Sequence, residues 1–132
     1  MKTKTLASSE TARPFLPAKD FALSKSFYEA LGFVKELDAD EVAIYRIGAS
    51  SFILQRRFQK EWAENFMMQL MVDDLDAWWA HLASLDLPQK FGVGAPKAPA
   101  LQPWGLRVAY VVDPSGVLWH VAQRRPSVKH DE

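Results

Sequence analysis

Three histidines and no cysteine set the chemical range of this 132-residue chain. Without a thiol there is no thiolate metal ligand, no cysteine nucleophile and no disulfide. His81 falls within a helical pattern and His130 in the polar end of the chain, which leaves His120 as the histidine best placed for chemistry. It lies in Val117-Leu118-Trp119-His120-Val121-Ala122-Gln123. A single imidazole can act as a general base or as a hydrogen-bonding group in a pocket. His120 therefore reads equally as a half-buried strand histidine and as a pocket residue. The sequence offers no carboxylate to orient it, so no catalytic residue is assigned.

The elements that position His120 are legible. Asp113-Pro114-Ser115-Gly116 separates two apolar runs, Leu106–Val112 and residues 117–123. Asp-Pro starts a turn and Gly supplies a positive-φ position, so the segment predicts a β-hairpin. A three-residue loop pairs Tyr110 with His120, and Val108, Leu118 and Ala122 share their face. Trp119 takes the opposite, core-facing side. Neither face is clearly polar, which predicts a core on one side and a sheltered surface on the other. By the same alternation Met67, Gln69 and Met71 share a face of an earlier strand, where flexible methionines suit either an adaptable pocket or an irregular core. Phe15, Phe52 and Leu54 are expected to contribute from the first half of the chain. Trp104 stands in Gln102-Pro103-Trp104-Gly105, where it is either a lid over the sheet edge or a stacking wall for a planar ligand.

An internal repeat organises the rest. Asp20 caps a helical stripe of Leu23, Phe27 and Leu31, and Gly32 stops it. Fifty-four positions on, Asp74 opens the same design through Leu75, Trp78, Trp79, Leu82 and Leu85. Trp78 and Trp79 fit the core, whereas Trp62 in the connector fits either an interface or an exposed loop. Strands are expected at residues 14–18, 33–37, 41–47 and 51–56, and again at 66–72, 89–93, 106–112 and 117–123. The chain thus reads as two β-α-β-β-β modules, about residues 13–57 and 66–124, within one domain of residues 13–124. Residues 1–12 form a polar arm and residues 125–132 a polar tail. Residues 94–103, rich in Pro and Ala, are expected to form a surface loop.

Composition narrows the function. Sixteen basic residues balance sixteen acidic ones, so no field draws nucleic acid or membrane. No apolar run approaches the ~20 residues that span a bilayer, and the first twelve residues lack a secretory apolar core. A cytoplasmic protein is expected. Five Trp and eight Phe supply flat surfaces for a core or for a planar ligand. Arg46, Arg56, Arg57 and Lys60 form a loose basic cluster that is either solvated or meets an anionic group.

The duplicated unit, with Phe27-Tyr28-Glu29-Ala30-Leu31-Gly32-Phe33 and Asp113-Pro114-Ser115-Gly116, resembles the vicinal-oxygen-chelate superfamily. Gln102-Pro103-Trp104-Gly105 ahead of that turn looks most like its bleomycin-resistance branch. The resemblance covers residues 15–123. It implies an α+β fold whose duplicated βαβββ modules form a curved, mostly antiparallel sheet around a groove, with the helices outside. Phe33, just past the first helix, would then reach the mouth of that groove. Carrying over the superfamily's metal positions places the ligands at Arg13, Met67, His120 and Phe52 or its neighbour, of which only His120 ligates well. No metal and no cofactor is therefore expected. The branch implies a small-molecule ligand, a homodimer and an exchanged N-terminal arm, here residues 5–14. The implied function is sequestration of a planar or amphipathic ligand, a glycopeptide antibiotic being one case, by Trp104, Tyr110, His120, Met67, Gln69, Phe52, Phe33 and Phe15. The alternatives are a lyase, isomerase or transferase with a degenerate or metal-free site, and a partner module without a groove.

Overall fold

The computed structural model describes residues 11–124. Its elements run β1 (Phe15–Pro17), α1 (Phe21–Leu31), β2 (Val34–Asp38), β3 (Val42–Ile47), β4 (Ser50–Gln55), α2 (Lys60–Glu64) and β5 (Met67–Met71). The second half continues with α3 (Leu75–Ser84), α4 (Leu87–Phe91), β6 (Lys97–Leu101), β7 (Leu106–Val112) and β8 (Leu118–Arg124). The two βαβββ modules build two four-stranded sheets of matching order, β1-β4-β3-β2 and β5-β8-β7-β6. In each, the first strand runs parallel to the fourth and the other two pairings are antiparallel.

Local chemistry explains the helices. Asp20 accepts a hydrogen bond from the Leu23 amide at 3.1 Å and Asp74 accepts one from Ala77 at 3.0 Å, so each major helix carries a side-chain N-cap. Gly32 ends α1 at φ 113°, a left-handed conformation in which its N–H and that of Phe33 satisfy the last carbonyls. The buried stripe of α1 is Phe21, Ser24, Phe27, Tyr28 and Leu31.

Three elements depart from the expectation. Residues 89–93 form no strand: Pro88 sits in the first turn of α4, where its missing N–H costs nothing, and Gly92 stops that helix at φ 68°. The strand that completes the second module is β6, inside the expected loop. It survives Pro99 because it is an edge strand, and its register shifts between Lys97 and Ala100. The short helix α2 in the connector also went unread; it buries Ala63 and half-buries Trp62.

One core joins the modules. Leu16, Tyr45, Phe52 and Leu54 from the first sheet meet Ala109, Val111, Trp119 and Val121 from the second, with Phe27, Tyr28, Leu75 and Leu82 from the helices. Aromatic edges knit it together: Tyr28 lies 4.7 Å from Phe52 and 5.8 Å from Trp119, and Phe33 lies 5.5 Å from Trp119. Full burial of each such ring contributes about 1.5–3 kcal/mol. Trp78 and Trp79 pack against this core from α3, half-buried. A polar chain runs through it. Trp119 Nε1 donates to Tyr28 Oη at 2.9 Å, and Tyr28 Oη donates to Asp113 Oδ2 at 2.6 Å. Asp113 Oδ1 accepts from the amides of Ser115 and Val117, both at 2.9 Å, which fixes the turn between β7 and β8.

Candidate ligand-binding face

Because Trp119 and Val121 face the core, Leu118, His120 and Ala122 face away from it, and register extends that face across the whole second sheet. His120 pairs with Tyr110 on β7 and with Gln69 on β5, and Tyr110 pairs with Lys97 on β6. Gln69, His120, Tyr110 and Lys97 therefore form one polar row across four strands. On one side of it lies the apolar row Met67, Leu118 and Val112; on the other lie Met71, Ala122, Val108 and Ala100. The expected Tyr110–His120 pair is present, with ring centroids 4.8 Å apart and edge to face. A cavity of about 430 Å³ opens on this face, lined by Gly94, Ala95, Lys97, Tyr110, Val112 and Leu118.

Solvent reaches much of the surface. Met67 is 62% exposed, and Met71, Val112 and Gln69 are exposed as well. His120 differs: its Nε2 is shut off from water and has no hydrogen-bond partner among the described residues. Burial holds this imidazole below its ordinary pKa, so it is neutral at pH 7. Trp104 stands at the tip of the β6–β7 hairpin and is 57% exposed. Gly105, at φ 96°, and a Gln102–Leu106 backbone hydrogen bond of 2.8 Å shape that tip.

The first sheet presents the repeat counterpart of the polar row, and it is apolar. Phe15 pairs with Ile53, Ile53 with Ile44 and Ile44 with Leu37. Phe15 is open to solvent on this face. Phe52 and Leu54 are not: both are essentially fully buried on the core side, as is Phe33 at 5% exposure. The expectation that Phe15, Phe52 and Leu54 share a face thus needs correction, because a one-residue change of register exchanges the two faces of a strand. Ile53 holds the place given to Phe52. Phe33 likewise packs on Tyr28, Phe52 and Trp119 rather than at the mouth of a groove. Lys97, Ile53, Ile44 and Leu37 escaped the sequence reading, Lys97 because its strand lay in the expected loop.

The metal positions that the resemblance implies are Arg13, Met67, His120 and Phe52 or its neighbour Ile53, the latter being the one on the open face. Arg13 donates from Nε to Ser51 Oγ at 2.9 Å. A guanidinium, a thioether, one imidazole and an alkyl side chain do not fit a divalent cation. Among the described residues no three His, Asp or Glu side chains converge into a metal site either. Three of the four basic residues in the cluster form surface pairs, Arg46 with Glu36 at 2.7 Å, Arg56 with Glu41 at 3.9 Å and Lys60 with Glu64 at 4.0 Å. His130 and residues 1–10 lie outside the described residues.

No protein-family profile matches the chain. It is 32% identical over 118 residues to a bleomycin resistance protein of Klebsiella pneumoniae, spanning 87% of this chain and 93% of that protein. A bleomycin-binding protein crystallised with bleomycin superposes with a TM-score of 0.75 at 29% identity, covering 89% of this chain and all of the other. The bleomycin-binding protein of bleomycin-producing Streptomyces verticillus, solved with copper(II)-bleomycin, gives 0.74 at 26%, covering 94% and 100%. Paired βαβββ modules with an open sheet face define a protein of the vicinal-oxygen-chelate superfamily. Within it, the chain belongs to the bleomycin resistance protein family.

Proposed function

We propose that this chain sequesters a planar or amphipathic ligand of the bleomycin type, without altering it and without a metal of its own. The carrying observation is the open face of the second sheet, where two apolar rows flank one polar row around a half-buried, neutral imidazole. Such a surface binds through apolar area and a few fixed polar groups. It lacks the parts for chemistry, since the row around His120 holds an amide, a phenol and an ammonium and no carboxylate to orient the ring. The bleomycin complexes of its relatives support the same reading. With sixteen cationic and sixteen anionic side chains in balance, attraction of a cationic ligand by net charge is absent, and affinity rests on stacking and hydrogen bonds.

A second copy would complete the groove. Phe15, Val34 and Leu37 expose 47%, 50% and 44% of their surface on the first sheet, the kind of apolar patch that marks an interface. Exchange of an N-terminal arm, residues 5–14, would tie the homodimer together in the cytoplasm. Among the described residues no helix is long and apolar enough to cross a membrane.

Tryptophan fluorescence tests the reading. Titration with metal-free and copper-loaded bleomycin is expected to saturate near one ligand per subunit. Trp104→Ala should weaken capture by roughly tenfold, about 1–2 kcal/mol for loss of one stacked indole. Full affinity in the variant would remove Trp104 from the ligand wall, and no saturation by wild type would remove bleomycin as the ligand.

A further inference from the structure

Three cavities follow one another around the end of the second sheet. The cavity of about 430 Å³ on the open face shares Gly94 and Val112 with one of about 350 Å³ beside the Asp113–Gly116 turn. That one shares Lys19 and Pro114 with a third, of about 540 Å³, at the start of α1. A groove thus leaves the ligand face, rounds the turn and ends among Lys19, Lys25 and Arg56. Its character changes on the way. Tyr110, Val112 and Leu118 line one end, whereas three cations and one carboxylate, Asp20, line the other.

Lys19 stands where the second and third cavities meet. Its amide donates to Ser115 Oγ at 2.9 Å, which pins the residue to the turn. Its ammonium lies over Phe58, 5.7 Å from the ring centroid, and forms no ion pair among the described residues. Lys25 and Arg56 crowd one buried ring, Phe21, at 4.6 and 4.7 Å from its centroid. Lys25 is also held by Asp38 at 3.0 Å, and Arg56 donates to the Asp40 carbonyl at 2.8 Å. Attraction to the ring keeps both cations in place, yet it leaves like charges facing one cavity, a repulsion that a guest anion relieves. The helix end is not the attraction, since Asp20 already caps α1. Nor do the carboxylates beside the turn cancel the charge. Glu64 lies 4.0 Å from Lys60, and Asp113, 2% exposed, turns its oxygens to Tyr28, Ser115 and Val117.

We propose that this groove takes an anionic amphipath, with its flat apolar part on the open face and its anionic group among Lys19, Lys25 and Arg56. The proposal rests on the ligand-binding reading of the second-sheet face and adds the charge of the ligand and the path it follows. Ser115 and Leu118 are three residues apart, about 10 Å of chain. A linker of a few carbons between ring and anion therefore suits the route round the turn.

Fluorescence titration of the full chain with a matched pair, pyrenebutanoate and the uncharged pyrenebutanol, tests it. Wild type is expected to hold the carboxylate about fivefold more tightly than the alcohol at low salt. Raising the salt from about 50 mM to about 500 mM should erase that preference. Lys19→Gln should bring the two compounds level, Lys19→Arg should keep the preference, and Lys90→Gln, the same loss of charge outside the groove, should leave it unchanged. Leu118→Asp should weaken the alcohol, which reports on the open face alone. Equal affinities in wild type, with the alcohol still weakened by Leu118→Asp, would overturn the anionic end and leave the face reading standing. A preference that survives Lys19→Gln and disappears in Lys97→Gln would place the anion on the open face and overturn the route round the turn. An alcohol indifferent to Leu118→Asp, or capture of neither compound, would overturn the face reading and the proposal with it.

Discussion

Asp113→Ala is expected to destabilise the fold by about 3–5 kcal/mol, measured as a lowered urea midpoint at pH 7. Its carboxyl accepts three hydrogen bonds, from Tyr28 Oη and from the amides of Ser115 and Val117. The alanine leaves these three donors without their acceptor, at about 1–3 kcal/mol each where they stay buried, and the relief of burying the carboxyl group returns part of the sum. The alanine would strand the Tyr28 hydroxyl among the aromatic rings that join the modules. It would also release the turn that sets Tyr110 opposite His120, so the loss propagates from packing to the ligand face. Burial outweighs these hydrogen bonds and raises the Asp113 pKa above its ordinary 3.8. The folded state therefore holds this proton more tightly than the unfolded state. The resulting stability is complete below pH 3.8 and is lost as pH rises through the folded pKa. Asp113→Asn keeps an acceptor for the turn and does not titrate. It should cost much less than the alanine and flatten the slope of stability with pH in that window. A steep slope persisting in the asparagine variant would mean that other groups produce it.

Leu118→Asp should lower ligand affinity by about a hundredfold while the protein stays folded. Leu118 is half-buried at the centre of the row between Met67 and Val112 and lines the cavity of about 430 Å³. A carboxylate there must be desolvated by a bound apolar ligand without a partner, at a cost of about 2–3 kcal/mol, which is the hundredfold. Met67→Asp, at a more exposed position of the same row, should act in the same direction with almost no effect on stability. Ala83→Asp on the exposed side of α3 is the control and should change neither quantity. Fluorescence titration beside urea unfolding separates the two effects. Unimpaired capture by both Leu118→Asp and Met67→Asp would move the ligand off this face.

How much of this was legible in the sequence depends on how local the signal is. Asp20, Gly32 and Asp74 marked helix ends because capping is a matter of a few adjacent atoms, and those ends are where they were expected. The Asp113–Gly116 turn dictated the Tyr110–His120 pairing for the same reason. Phe52 failed because its face depends on the parallel register of β4 with β1, set by contacts 38 residues apart that alternation alone cannot fix. Residues 89–93 misled because Pro88 and Gly92 punctuate a short helix as readily as a strand. Pro99 made β6 look like a loop, since proline argues against any strand but an edge. Thus the half of the face built on the β7–β8 hairpin was readable, whereas its extension to Lys97 and the apolar row of Phe15, Ile53, Ile44 and Leu37 needed the sheet.

Mapping a bound ligand by amide chemical shifts tests the central claim most directly. Isotope-labelled protein would be titrated with metal-free bleomycin and each backbone N–H followed. The sequestration account predicts saturable shifts concentrated at Gln69, Tyr110, Leu118 and His120, with the exposed amides of α1 and α3 unmoved. Shifts confined to the helices, or none at saturating ligand, would contradict it.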